Sequence, residues 1–193
     1  MEKDMRIGIM LLLILIGITT FIIPPLQAEG PLSSVQQVFP SCPSFGVQRF
    51  LEKKEAPPFS LKSLDGNQIS LKDFKGKPVL LFFWVTWCPA CKEDMILLEK
   101  FFIGKKDQLT ILLLAIDGDR EKKVRQIIKE NKITFPVLLV LKEKVLENYG
   151  IRGWVPQIFL IDREGLMVGK IVGQRDWTSP EAEPCLREIF SFR

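Results

Sequence analysis

Two cysteines separated by only two residues, Cys88 and Cys91, are the clearest candidates for chemistry in the sequence. They follow the apolar run Val79–Val85, which predicts a strand buried on both faces, and they open a helix predicted over Ala90–Phe102. Unpaired backbone N–H groups and the helix dipole favour a thiolate at a helix N-terminus. The spacing therefore predicts thiol–disulfide exchange. Cys88 is the expected exposed nucleophile, and Cys91, shielded one turn further on, is expected to resolve the mixed disulfide.

A cysteine pair of this spacing can also be half of a structural zinc site. Such a site needs four nitrogen or sulfur ligands, and this sequence contains no histidine. The other two cysteines, Cys42 and Cys185, do not form a second close pair. We therefore predict no metal site and no bound cofactor, with the Cys88–Cys91 disulfide itself as the redox group.

The segments around the cysteine pair alternate between strand and helix patterns. The apolar run Leu109–Ile116 predicts a second buried strand, and Val124 and Ile127 mark the inner face of a helix that ends near Asn131. Turn signals and periodicity predict the remaining elements: a small hairpin (Phe59–Leu61 and Gln68–Leu71), a short helix (Lys142–Tyr149), an antiparallel hairpin (Gln157–Ile161 and Leu166–Val172) and a final helix that reaches Phe190. That helix is expected to start near Thr178, or later if Pro184 delays it. This pattern predicts an α/β fold with a central mixed sheet flanked by helices.

Residues 1–28 are predicted to be an export signal or a membrane anchor rather than part of the fold. The apolar stretch Ile7–Ile23 is long for a signal peptide and slightly short for a membrane span, and Ala28 offers a cleavage site. Cleavage and retention both remain open. Residues 29–56, rich in Pro, Ser and Gln, are predicted to be a linker or arm with a short helix at Val47–Lys54, followed by the main domain over residues 57–193.

Export would place the four cysteines outside the cytoplasm, where disulfides persist. Cys42 and Cys185 lie near opposite ends of the exported portion, and we favour a structural disulfide that ties the arm to the C-terminal helix. Two free thiols, or a link to a partner, are the alternatives. The formal net charge of +4 over 193 residues indicates no nucleic-acid partner, and membrane contact is expected through residues 1–28 if they are retained.

A series of motifs runs in order over about residues 57–175. They are Lys77-Pro78-Val79-Leu80-Leu81, the segment FWVTWCPACKEDM at 83–95, Phe135-Pro136-Val137, Tyr149-Gly150-Ile151, Val155-Pro156, and Phe159-Leu160-Ile161-Asp162 with Gly165. Taken together they resemble the TlpA/ResA group of thiol–disulfide oxidoreductases in the thioredoxin superfamily. The resemblance implies a thioredoxin-like fold, to which an N-terminal hairpin and the signal or anchor helix are additions.

The resemblance also implies site residues around the cysteine pair. Pro156 is expected to be a cis-proline that faces the pair and leaves the backbone of Val155 free to bind an incoming peptide strand. Trp87 would cover the nucleophile and offer an apolar surface to protein substrates. Asp94 lies one turn beyond Cys91, where relatives commonly carry Glu, and a buried carboxylate there could accept the Cys91 proton. An exposed aspartate on the helix surface is the alternative.

The favoured function is a disulfide reductase outside the cytoplasm, supplied with electrons by a membrane thiol transporter and acting on oxidised exported proteins. The resemblance adds apocytochrome c as a substrate and cytochrome c maturation as the pathway.

A disulfide oxidase or isomerase would use the same cysteines in the opposite direction. A thiol peroxidase is disfavoured because Thr86 stands two residues before Cys88, whereas that class needs a Thr-x-x-Cys motif. A metallochaperone of the Sco kind is disfavoured because it requires a histidine.

Overall fold

The computed structural model describes residues 41–105, 107–141 and 143–190. The predicted signal or anchor, residues 1–28, and the start of the predicted linker, residues 29–40, lie outside the described residues. Within the described ranges no helix is both long and apolar enough to cross a membrane.

In the described part of the chain, eight strands form one sheet. They are β1 (Val47–Glu55), β2 (Ser60–Ser63), β3 (Gln68–Ser70), β4 (Val79–Trp84), β5 (Thr110–Ala115), β6 (Val137–Leu139), β7 (Gln157–Ile161) and β8 (Leu166–Val172). Their order is β1-β8-β7-β4-β5-β6-β2-β3. β5 is parallel to both β4 and β6, whereas the other neighbouring strands are antiparallel, which confirms the predicted mixed sheet.

Helices cover both faces of this sheet. They are α1 (Ser41–Ser44), α2 (Pro89–Phe101), α3 (Glu121–Glu130), α4 (Glu143–Asn148) and α5 (Ala182–Phe190), with short 3-10 helices at Leu71–Phe74 and Gly118–Arg120. The helices predicted after the cysteine pair are all present, although α5 starts at Ala182 rather than near Thr178. The N–H and hydroxyl of Thr178 donate to the carboxylate of Asp176, which closes a turn ahead of the helix.

The central strand β4 separates two hydrophobic cores. Successive side chains of a strand point to opposite faces, and Leu80, Phe82 and Trp84 enter one core while Leu81 and Phe83 enter the other. The first core contains buried residues of α2, α3 and α5, and the second is bordered by α4. A strand that is buried on both sides must be apolar throughout, which explains the unbroken run that made β4 recognisable in the sequence.

The predicted short helix at Val47–Lys54 is wrong, because these residues belong to β1. β1 pairs antiparallel with β8 at one edge of the sheet, and the partners include Val47 with Ile171. Most of its side chains are exposed, so its sequence lacks the apolar alternation that marks a half-buried strand. Backbone pairing with β8 outweighs the helix preference of the Leu-Glu-Lys-Lys stretch, and the exposed charges suit a sheet edge.

The opposite edge of the sheet is formed by β2 and β3. These strands pair antiparallel as a hairpin, and β2 also pairs antiparallel with β6. The hairpin therefore extends the main sheet. It lies at the opposite edge from β1. β4 lies in the interior of the sheet, and the cysteine pair follows its carboxyl end.

Candidate active site

Cys88 and Cys91 are joined by a disulfide at the point where β4 gives way to α2. Cys88 is the N-cap of α2, and Pro89 at the first helical position needs no hydrogen-bond partner for its nitrogen. The N–H of Cys91 donates to Sγ of Cys88 over 3.0 Å. The sulfur of Cys88 thus occupies the position where unpaired N–H groups stabilise negative charge.

The two cysteines differ in their access to solvent. Cys88 is 6% exposed and Cys91 is 0% exposed. An incoming sulfur can therefore approach only Cys88 without opening the fold. Cys88 is thus less exposed than expected, although it is the more accessible of the two, and its role as the first sulfur to react stays a prediction.

The bond between Val155 and Pro156 is cis, as the resemblance implied. The carbonyl oxygen of Val155 lies 3.9 Å from Sγ of Cys88, although the two residues are 67 positions apart in the chain. The side-chain amide of Gln157 donates to the carbonyl of Trp154 over 2.7 Å, and this bond holds the same loop from the other side of the proline. The loop therefore presents backbone groups directly beside the disulfide.

Two exposed tryptophans each stand one position before a residue of the site. Trp87 immediately precedes Cys88 and is 65% exposed. Trp154 immediately precedes Val155, whose carbonyl faces Cys88, and is 78% exposed. Large apolar side chains left in solvent beside a reactive group offer contact area to a partner polypeptide.

Asp94 is fully buried one helical turn beyond Cys91, so the alternative of an exposed surface aspartate is wrong. Its Oδ1 accepts a hydrogen bond from the backbone N–H of Arg175 over 2.9 Å, while its Oδ2 has no partner among the described residues. Burial raises the pKa of Asp94 from 3.8 to about 7, against the opposing effects of the Arg175 hydrogen bond and charge. A carboxyl group with this pKa can exchange a proton near neutral pH.

Arg175 belongs to this site although nothing in the sequence marks it. Its Nε donates to the carbonyl of Phe45 over 3.0 Å, and a terminal nitrogen donates to the carbonyl of Val172 over 3.0 Å. The guanidinium packs on Gly46, where an added Cβ would lie 2.5 Å from Nε. Phe45 and Arg175 are 130 positions apart, so only the folded chain brings them together.

Cys42 and Cys185 form a second disulfide, the pairing that the sequence analysis favoured over free thiols. Both residues are completely buried, and the bond ties α1 to α5 across a separation of 143 positions. Phe45, just after α1, also contacts the ring of Trp177 edge-on at 5.1 Å between centroids. The described part of the N-terminal arm is therefore fixed to the body of the fold beside Arg175.

Asp117 is another residue that the sequence analysis missed. It follows β5, and its Oδ2 accepts hydrogen bonds from the N–H of Thr86 over 3.0 Å and from the hydroxyl of Thr86 over 2.6 Å. Thr86 lies between the end of β4 and Trp87. These bonds fix the backbone that leads into Cys88, and they join neighbouring strand ends that are 31 positions apart in the chain.

A comparison with protein families matches residues 53–170 to the AhpC/TSA family. A thiol-disulfide oxidoreductase ResA of Bacillus cereus is 36% identical over 137 residues, which cover 70% of this chain and 77% of that protein. The thioredoxin-like protein YneN of Bacillus subtilis is 35% identical over 130 residues, or 66% of this chain and 74% of the relative.

Solved structures show the same relationship. The thioredoxin domain of a thiol-disulfide oxidoreductase from Bacteroides vulgatus superposes with a TM-score of 0.62 at 33% identity, covering 72% of this chain and 98% of that one. A putative thiol:disulfide interchange protein DsbE from Chlorobium tepidum gives a TM-score of 0.64 at 25% identity, covering 72% and 99%. Proteins of this type use a redox-active disulfide without a cofactor, which is the arrangement formed here by Cys88 and Cys91. The chain belongs to the AhpC/TSA family and is a thiol–disulfide oxidoreductase of the ResA/DsbE type with a thioredoxin-like fold.

Proposed function

We propose that this oxidoreductase reduces disulfides of exported proteins outside the cytoplasm. The observation that carries the proposal is the asymmetric cysteine pair, in which the one accessible sulfur, that of Cys88, lies at a helix N-cap and 3.9 Å from the Val155 carbonyl. The residues between the cysteines, Pro89 and Ala90, include no histidine. A histidine there is typical of strongly oxidising relatives of the DsbA kind, so its absence favours a reductant.

In the proposed reaction the reduced enzyme starts with Cys88 as a thiolate. Cys88 attacks one sulfur of the substrate disulfide, which forms a mixed disulfide, and the other substrate sulfur leaves as a thiolate that takes up a proton. Cys91 then transfers its proton to Asp94 and attacks Sγ of Cys88, which forms the Cys88–Cys91 disulfide and releases the second substrate sulfur as a thiolate. This thiolate takes up a proton from solvent, and Asp94 returns its proton to solvent. The substrate gains two electrons and two protons, and the enzyme becomes oxidised.

The groups around Cys88 would bind the substrate backbone and its apolar side chains. The backbone of Val155, which lies beside Cys88 and precedes the cis-proline Pro156, would pair with an extended segment of the substrate. Trp87 would cover the apolar side of that segment. Backbone pairing reads no side-chain sequence, so it suits an enzyme that accepts several proteins.

The proposed location outside the cytoplasm is supported by the apolar segment within residues 1–28 and by the buried disulfide Cys42–Cys185, because disulfides persist in oxidising compartments. A reductase in such a compartment must be reduced again after each turnover. We propose a dithiol of a membrane thiol transporter as its electron donor. The resemblance to the TlpA/ResA group favours apocytochrome c, whose cysteines must be reduced before haem attachment, as the substrate.

The reduction potential of the Cys88–Cys91 couple tests the direction of exchange. The full chain in non-ionic detergent is equilibrated with defined thiol buffers, and alkylation followed by peptide mass analysis separates this couple from Cys42–Cys185. A value near or below roughly −270 mV supports a reductase. A value nearer roughly −120 mV would make the protein a disulfide donor and would overturn the proposal.

The assignment of the nucleophile is tested by trapping. Cys91→Ser removes the resolving thiol, so the mixed disulfide between Cys88 and a substrate should accumulate and be visible as a reducible adduct. The matched control Cys88→Ser leaves Cys91 buried and should trap no partner. Adducts formed through Cys42 or Cys185 would show that the site is elsewhere.

A further inference from the structure

An open groove of about 920 Å³ runs beside the disulfide, along Thr86, Trp87 and the start of α3. Five basic side chains line it against two acidic ones, Asp119 and Glu121, which leaves an excess of three positive charges. This local excess contrasts with the formal net charge of +4 spread over all 193 residues. The groove therefore carries an excess of positive charge close to the reactive sulfur.

The basic groups in the groove are available to a partner. Among the described residues, Lys92, Arg120 and Lys122 take part in none of the ion pairs, and Arg120 and Lys122 are exposed. Arg125 is bound to Glu121 over 2.6 Å, which removes one acidic side chain from competition. A cation that is already paired attracts a further acidic group only weakly. An unpaired, exposed cation attracts acidic groups of a partner over about a Debye length, roughly 8–10 Å at ordinary salt.

The groove lies within reach of a polypeptide whose cysteine is bonded to Cys88. Lys92 is four positions after Cys88, which places it one helical turn away, and Trp87 is the residue immediately before Cys88. An extended chain advances roughly 3.3 Å per residue. Residues about two to five positions from the substrate cysteine would therefore span roughly 7–17 Å and lie over Trp87 and the start of α3.

We infer that this groove binds an acidic, extended segment that flanks the reactive cysteine of the substrate protein. This inference rests on the proposed function and adds that the site prefers substrates with negative charge next to the reactive cysteine. An enclosed apolar pocket would suit a small molecule, whereas an open groove with an exposed tryptophan and unpaired cations suits a strand that carries Asp and Glu. The segment would gain both electrostatic steering to Cys88 and a fixed orientation once bound.

The test uses three synthetic peptides with one disulfide each, identical except for flanking positions filled with Asp and Glu, with Asn and Gln, or with Lys. Pre-reduced full-length protein in non-ionic detergent reacts with each peptide in a single turnover, which is quenched with acid and quantified by mass. We expect the acidic peptide to react about 10-fold faster than the amide peptide at low salt, and the Lys peptide to react slowest. The advantage should nearly disappear at about 1 M salt, where the Debye length is roughly 3 Å.

Charge reversal locates the effect. Arg120→Glu combined with Lys122→Glu should reverse the order of the acidic and Lys peptides. The matched control, Lys72→Glu combined with Lys75→Glu, changes the net charge equally at exposed positions outside the groove and should keep the wild-type order. The rate with hydroxyethyl disulfide, which is small and neutral, is measured for each variant, and the peptide rates are compared after division by it, so that a general change in the reactivity of Cys88 does not count as a change in peptide preference.

Equal rates for the acidic and amide peptides in the wild-type protein would overturn the inference while leaving the reductase proposal intact. The same loss of preference in both double variants would also overturn it, because net charge rather than the groove would then steer the substrate. Failure of the reduced wild-type protein to react with every disulfide, hydroxyethyl disulfide included, would count against the proposed function instead.

Discussion

The backbone N–H of Arg175 donates a hydrogen bond to Oδ1 of Asp94 over 2.9 Å. The side chain of Arg175 is fixed in turn, because its Nε donates to the carbonyl of Phe45 over 3.0 Å. Phe45 lies three positions after Cys42, which is disulfide-bonded to Cys185. The N-terminal arm is therefore connected through one arginine to the buried carboxyl group beside the reactive cysteines.

Replacing Asp94 by Asn should slow the exchange reaction and change its pH dependence. The pKa of Asp94 is about 7, so the carboxylate becomes able to accept the Cys91 proton as the pH rises through that value. We expect single-turnover oxidation by a peptide disulfide to be slower by about 10²-fold in Asp94→Asn at pH 8, the lower end of general-base effects. Asp107→Asn, the same chemical change at an exposed position that does not contribute to the pKa of Asp94, is the control and should keep the wild-type profile. Superimposable pH profiles for the wild type and Asp94→Asn would remove Asp94 from the reaction.

The buried carboxyl group should also make the free energy of unfolding depend on pH. Because the pKa of Asp94 is raised in the folded state, stability is complete below the unfolded value of 3.8 and is lost as the pH rises to about 7. A shift of this size corresponds to a loss on the order of 4 kcal/mol, since one pKa unit is about 1.4 kcal/mol. Urea unfolding of the oxidised protein between pH 4 and pH 8 should show that Asp94→Asn gains stability relative to the wild type over this interval. A constant difference between the two proteins would contradict the raised pKa.

The parts of this site that the residue pattern alone predicts are those encoded by neighbouring residues, whereas Pro156 opposite the cysteine pair was expected only from the resemblance to the TlpA/ResA group. The cysteine spacing and the apolar run before it predict the strand, the helix and the reactive pair, because backbone geometry fixes residues that are three or four positions apart. Arg175 and Asp117 were not predictable, since each acts on a residue far away in the chain through a contact that exists only after folding. The prediction of a helix at Val47–Lys54 was wrong for a related reason. This segment forms a strand because it pairs with β8, more than 100 positions later, and its own side chains do not indicate a strand.

The disulfide between Cys42 and Cys185 should stabilise the fold without determining the chemistry of the other cysteines. It closes a loop of 143 positions, and the chain-entropy model assigns about 4 to 5 kcal/mol to a loop of this length. We expect the double variant Cys42→Ala with Cys185→Ala to lose about that much free energy of unfolding in urea titrations. The reduction potential of Cys88–Cys91, measured in the same thiol buffers as for the wild type, should be unchanged. An equally stable double variant would show that the second disulfide constrains the unfolded chain little.

A single methyl group at Gly46 tests the connection between the arm and Asp94. Gly46 has a φ of +81°, and an added Cβ would lie 2.5 Å from Nε of Arg175. Gly66→Ala is a matched control, because Gly66 has a φ of +88° and nothing within 4 Å of the added Cβ. Both variants carry the strain of a left-handed residue, about 1–2 kcal/mol. Gly46→Ala should lose about 1.5–3 kcal/mol more, the typical value of a hydrogen bond to a charged group, as the bond from Arg175 to Phe45 breaks.

The pH profile separates a positioning role of Arg175 from a purely structural one. The backbone hydrogen bond and the guanidinium charge of Arg175 both lower the pKa of Asp94, and displacing the guanidinium weakens the effect of the charge, so that pKa should rise further above about 7. The midpoint of the exchange rate against pH should therefore move upward in Gly46→Ala and stay in place in Gly66→Ala. If Gly46→Ala is destabilised but keeps the wild-type midpoint, the guanidinium of Arg175 holds only the arm and does not tune the carboxyl group of Asp94.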